Sequence, residues 1–396
     1  MRKVIYSLIV VAALLIAIGF LYKDTIERLS RVNSLFEPHN IVENFQDADE
    51  HFPTTDIPPS SSPYTLPIKL GFEFPETFTH QGKTYKSQDF IKETSTEGLL
   101  VIQADTIRYE SYMLGLEPDE KHISWSMSKS FIGTLVGIAV EQGKLKLTDE
   151  VTTILPDFKG TGYEGVTVED LLGMRSGVRF NEDYGDFNSD INRFGRAFAM
   201  GTSYRDFARS LQNEVPPGSR CRYVSIDTQV LGFLLSESMG QSLTELLQEY
   251  IWEPMGMEHA SGWIVDNEGF EMALGGMTAT LRDFAKLGLL YLNKGHLNGR
   301  QVVSSDWVTR ATSRHPDQLI DRSQLGYGYQ WWIPSNDTGD FMMVGIYDQF
   351  VYVHPAKQLV VAKLSADHRF KTQGSALKAQ HISFFQEVAR GLEEIQ

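Results

Sequence analysis

The chain reads as an α+β protein: one antiparallel sheet with flanking helices and a large, mostly helical insertion. Two observations predict this. Strand-like runs lie toward both ends of the globular region: LLVIQAD and TIRYESY from Gly98, apolar and β-branched around a short polar break that reads as a hairpin, then GYGYQWWI, QFVYVHP and QLVVAKLS from Gly326 with two-residue alternation. Between them the apolar residues recur at helical spacing, so a single sheet forms only if the two ends of the region come together. A hydrophobic content of 42% with 22% charged residues over 396 positions is ordinary for such a fold.

Taken in order, Val4–Tyr22 is nineteen residues without a charge, enough to cross a bilayer as a helix. It is expected to be a transmembrane anchor (1–22). The small-residue pair Ala17 and Gly19 leaves a cleaved signal as the alternative. Arg2 and Lys3 are matched by Lys23, Arg28 and Arg31 beyond the segment, and a short basic N-terminus before a large domain favours an extracytoplasmic domain. Residues 23–66 are polar, and FPTTDIPPSSSPYTLP is too rich in Pro and Ser for a regular element, so this stretch is expected to be a tether or a wrapped arm. Residues 67–396 form the globular domain, its sheet drawn from about 67–125 and 325–396 and its helical part from about 126–324. Within it, the apolar run from Ser126 to about Gln142 predicts a buried helix stopped by Gly143. Four further helical patterns follow, at Val166–Met174, Thr228–Gly240, Ser242–Met257 and Thr280–Gly295. An amphipathic helix from about Gly374 closes the chain.

Composition removes several function classes. A net charge of -15 with no basic run argues against nucleic acid as a partner. Cys221 is the only cysteine, so there is no disulfide framework and no thiolate metal site, and it is expected to be a small packed residue. The ten histidines show no ligand spacing, so no metal or other cofactor is expected.

The chemistry concentrates at SWSMSKS, Ser124–Ser130, where hydroxyls and one cation open the apolar helix. Ser126 and Lys129, three apart, share one helix face, the arrangement of a nucleophile and its base. Apolar walls and the positive helix end both favour the neutral amine that can accept the serine proton. On spacing alone Ser126 could equally be a capping residue. Ser375 and Lys378 repeat the spacing, but on a helix whose polar face should be solvated.

SWSMSKSFIGTLVGIAVEQGKLKLTDEVTTILPDF, then VTVEDLLGMRSGV, EPMGMEHA, GGMTATLRDFAKLGLLYLN and GYGYQWW, resembles the penicillin-recognising serine hydrolases. The likeness is to the branch that holds class C β-lactamases, esterases and nylon-oligomer (6-aminohexanoate-dimer) hydrolases. The resemblance implies a β-lactamase/transpeptidase-like fold. It places the first motif, S-x-x-K, on Ser126 and Lys129. It places the second on Tyr223 and Ser225, the tyrosine relaying a proton to the leaving group; Ser225 stands where asparagine is commoner, which shortens its reach to Lys129. The third motif is altered to Val344-Gly345-Ile346-Tyr347-Asp348-Gln349. There the resemblance, with the need for a backbone donor on this strand, assigns the N–H of Ile346 to the oxyanion hole beside that of Ser126, with Gly345 in support. Asp348 departs from the branch's usual glycine.

The strand lacks the cation that holds a substrate carboxylate, so neutral esters or short amides are expected ahead of β-lactams. FNEDYGDFNSD, Phe180–Asp190, is an acidic, aromatic loop, and Tyr184 within it is the candidate lid residue. The sequence therefore predicts a membrane-tethered serine hydrolase that acts on a small ester or amide through an acyl-enzyme on Ser126. The alternatives are a β-lactamase or DD-peptidase, or a non-catalytic binding protein on the same fold.

Overall fold

A computed structural model describes residues 5–9, 19, 21–314, 325–335 and 338–392. The apolar segment Val4–Tyr22 lies largely outside them. Among the described residues no helix is long and apolar enough to cross a membrane.

Six helices frame the site: α1 (Lys23–Ser34), α2 (Ser128–Glu141), α3 (Asp190–Ala199), α4 (Ser225–Met239), α5 (Leu281–Leu292) and α6 (Phe370–Gly391). The main sheet holds β1 (Thr96–Gln103), β2 (Thr106–Tyr112), β3 (Gly326–Tyr327), β4 (Trp332–Ile333), β5 (Phe341–Gly345), β6 (Gln349–His354) and β7 (Leu359–Ser365). Its order is β3-β4-β5-β6-β7-β1-β2, every neighbour antiparallel, so the first hairpin pairs with the last strand and the chain ends close the sheet.

Both sheet faces are covered, which explains why β1 is buried at every position instead of alternating. Leu100 and Ile102 join the core beneath α5, whereas Leu99 and Val101 face α6 with Phe384 and Phe385. The α5 layer lies close because Gly288 faces the sheet: a Cβ there would come within 2.7 Å of Val351. Helix α2 is buried along its length, from Ser128 to Ala139, and so reads as apolar all round.

The structure corrects several expectations. GYGYQWWI forms two short strands with a turn between them, Gln330 at its centre holding a left-handed backbone (φ 65°). The closing helix starts at Phe370, ahead of Gly374. Thr54–Ile57, inside the Pro/Ser-rich stretch, is an edge strand paired with Ser261–Ile264. Prolines at 58 and 59 stop it but do not interrupt it. The arm packs closely, with Leu35, Ile41, Phe45, Phe52, Ile57 and Leu66 all buried in the main core.

Candidate active site

Ser126 lies in a 3-10 turn, Trp125–Met127, that leads into α2 at Ser128, so the helix begins two residues later than expected. The cause is Trp125, whose left-handed backbone (φ 43°) cannot continue an α-helix. Such a conformation costs about 1–3 kcal/mol in a bulky residue and persists only when its surroundings impose it. Here the arm does so: Phe36 and Phe45 each pack on the indole with ring centroids 5.3 Å apart.

Lys129 is buried in the first turn of α2, and its Nζ donates to the Leu274 carbonyl. Burial lowers its pKa to about 7, although the charges of Glu182 and Asp227 pull the other way. Tyr223 places its ring 5.6 Å from Nζ and stacks on Trp332, centroids 5.2 Å apart. Burial, and then the charge of Glu182, raise its hydroxyl well above the ordinary range, while the Ser126 and Ser225 hydroxyls beside it act in the opposite sense. At neutral pH the site therefore holds an amine able to accept a proton and a phenol that keeps its own.

Ser225 opens α4, two residues before the expected start near Asp227. Among the described residues no hydrogen bond joins it to Lys129, whose partner is the Leu274 carbonyl. Its backbone N–H donates instead to Glu182. Glu182 went unassigned from sequence, because it sits in a loop 53 residues from Lys129 with only the acidic run FNEDYGDFNSD to mark it. Burial raises its pKa, and the Lys129 charge works against that. Tyr184 donates to the same carboxylate at 3.2 Å, which ties the loop to the site.

The end of β5 passes in front of Ser126. A Cβ on Gly345 would meet the Ser124 carbonyl at 2.6 Å, so only glycine allows this approach. Tyr347 and Asp348 then take left-handed conformations (φ 61° and 68°) and turn the chain back into β6. Ile346 lies between, and its N–H, like that of Ser126, makes no hydrogen bond to another element among the described residues. Asp348 is buried beneath this turn, its pKa raised to about 7 by burial, in a cluster with Lys363, Asp367 and Arg369.

Two cavities meet at Ser126 and Ile346, with Tyr184 between them. The first, about 350 Å³, is walled by the arm, α3 and the segment before Gly275. The second, about 670 Å³, carries charged residues in its lining, where Tyr223 faces it with Glu182, Arg222, Lys371 and Lys378. Lys371 and Lys378 of this lining belong to α6. Ser375 and Lys378, the second S-x-x-K, line the rim of this cavity, Ser375 being exposed and Lys378 seated 4.1 Å over the Trp332 ring. Cys221 is half-buried, bonded to the Gly173 carbonyl, with its thiol pushed up to about 12 by burial. Among the described residues no cluster of His, Cys, Asp or Glu is arranged to hold a metal.

The sequence profile of the Beta-lactamase family matches residues 92–380, which takes in Ser126, Lys129, Tyr223 and Ile346. The chain belongs to this family. It is 29% identical over 290 residues to the 6-aminohexanoate-dimer hydrolase of Paenarthrobacter ureafaciens, covering 70% of this chain and 74% of the relative. A Bacillus anthracis structure provisionally described as a 6-aminohexanoate-dimer hydrolase superposes with a TM-score of 0.80 at 22% identity, over 89% of this chain and 96% of the other. EstCE1, a hydrolase with promiscuous acyltransferase activity, superposes with a TM-score of 0.60 at 15% identity, over 75% of this chain and 96% of its own. These two likenesses are of fold. Membership of the Beta-lactamase family and the named hydrolase relative make the chain a serine hydrolase.

Proposed function

We propose that the protein cleaves a carboxylic ester or short amide through an acyl-enzyme on Ser126. The observation that supports this most is the meeting of Ser126 with a buried Lys129, its pKa lowered to about 7, and a protonated Tyr223 at the junction of two cavities. Ser126 Oγ bonds to the substrate carbonyl carbon as its proton passes to the neutral amine of Lys129. The carbonyl oxygen takes up the negative charge and rests against the N–H groups of Ser126 and Ile346. The bond to the leaving oxygen or nitrogen breaks as Tyr223 gives up its phenolic proton, which the Lys129 ammonium replaces. Water then attacks the acyl group by the same proton path and releases the acid.

The deciding experiment exposes the protein to a fluorophosphonate probe and maps the labelled residue by mass spectrometry, with Ser126→Ala as control. Label on Ser126 is the expected result. A folded but unlabelled protein would favour a binding role instead, and rapid nitrocefin turnover would move the substrate class to β-lactams. We further propose that Val4–Tyr22 tethers the enzyme to a membrane with the catalytic domain on the extracytoplasmic side, which carbonate extraction and protease protection of intact cells would test.

A further inference from the structure

We infer that the cavity walled by the N-terminal arm is the acyl pocket, and that it selects uncharged, apolar acyl groups of medium length. The inference rests on the acyl-enzyme reading above and adds the chemical class of the acyl half.

Tyr223 decides which half of the substrate lies where. It lines the second cavity and not the first, so a leaving group that receives its proton departs into the second. The acyl group then occupies the remaining space at Ser126, the cavity of about 350 Å³. Its walls are apolar: Leu35 and Phe36 from the arm, Ile191 and Phe194 from α3, Met272 and Leu274 from the opposite side.

Of the polar side chains in this lining, Asn33 and Lys371 are exposed, and Asn192 and Arg196 have partners. Asn192 donates to the carbonyls of Tyr184 and Asp186 at 3.2 and 2.8 Å. Arg196 lies on the Phe187 ring, 3.9 Å from its centroid, and Lys371 is exposed above Phe36. Among the described residues no carboxylate lines the cavity. An acyl chain ending in an ammonium would lose its hydration there with no counter-charge, whereas a hydrocarbon chain gains from every methylene it buries. The volume lies at the lower end of small-ligand pockets, about 300–1,000 Å³, so the gain should level off as the chain fills it.

Gly195 offers a way to fill the pocket from the lid side. It lies inside α3 on the cavity wall, and a Cβ there would meet nothing nearer than Val32 at 3.8 Å. The test measures kcat/KM for p-nitrophenyl esters of acetyl, butanoyl, hexanoyl, octanoyl and 6-ammoniohexanoyl groups, in the wild type and Gly195→Leu. The wild type should favour hexanoyl over acetyl by about 50-fold or more, since each buried methylene is worth about fourfold. It should also favour hexanoyl over its ammonium-bearing analogue. Gly195→Leu should lower the hexanoyl-to-acetyl ratio about tenfold or more. A flat chain-length profile, or preference for the ammonium-bearing ester, with Ser126 still labelled by the fluorophosphonate, overturns the pocket assignment and leaves the hydrolase reading standing. No turnover of any ester and no label overturns both.

Discussion

Replacing Lys129 with methionine should inactivate the protein and at the same time stabilise it, more at low pH than at high. Lysine ordinarily titrates at 10.5, and burial brings Lys129 to about 7 in the folded chain. Between these values the unfolded chain holds a proton that the folded chain does not, so the penalty on folding is full below about pH 7 and fades as pH rises toward 10.5. At about 1.36 kcal/mol per pH unit the full penalty is about 5 kcal/mol. Methionine keeps the volume and never charges, but it leaves the Leu274 carbonyl without its donor, a cost of about 1–3 kcal/mol that does not vary with pH. The pH dependence therefore isolates the lysine: the advantage of Lys129→Met should be about 2–3 kcal/mol larger at pH 6 than at pH 9. Urea unfolding of both proteins across that range measures it. A stability difference that stays constant, or grows with pH, would refute the neutral-lysine argument.

Three further outcomes follow from the same geometry. Tyr223→Phe keeps the stack on Trp332 and removes only the hydroxyl, so acylation in stopped-flow ester assays should slow about 10²-fold or more with an unchanged melting temperature. Gly345→Ala puts a methyl against the Ser124 carbonyl and pushes β5 away from Ser126, so kcat should fall about 10²–10³-fold with little change in KM. Lys363, brought by burial to about 8, obeys the same linkage, so the stability of Lys363→Met relative to the wild type should fall as pH rises from 6 to 9, which urea unfolding reads.

What could be read from the chain without its structure followed the range of the signals. Ser126 and Lys129 are local, three apart at the mouth of a helix too apolar to lie anywhere but the interior, and both ends of the sheet carry their own apolar, β-branched runs. Glu182 carried no such mark, because its partner Ser225 lies 43 positions away and an acidic loop is usually solvated. The arm was hidden for a different reason. Leu35, Ile41, Phe45, Phe52 and Ile57 are spaced irregularly among polar residues, and they become a face only once other parts of the chain surround them. The edge strand Thr54–Ile57 likewise owes its form to Ser261–Ile264, which no propensity of its own four residues announces.

The arm is made first and used last. Phe36 stacks on Tyr347, centroids 5.0 Å apart, and carries Lys371 above its ring, so its neighbours emerge from the ribosome more than 300 residues after it. Contacts of such sequence separation form late because the loop they close must first be ordered. A growing chain thus contains Phe36, the serine and the lysine well before Tyr347 and Lys371, the groups that enclose Phe36 from the other side. The pocket proposed above is therefore complete only once Ile346 and Lys371, near the end of the chain, have joined the wall that the arm supplies from its beginning.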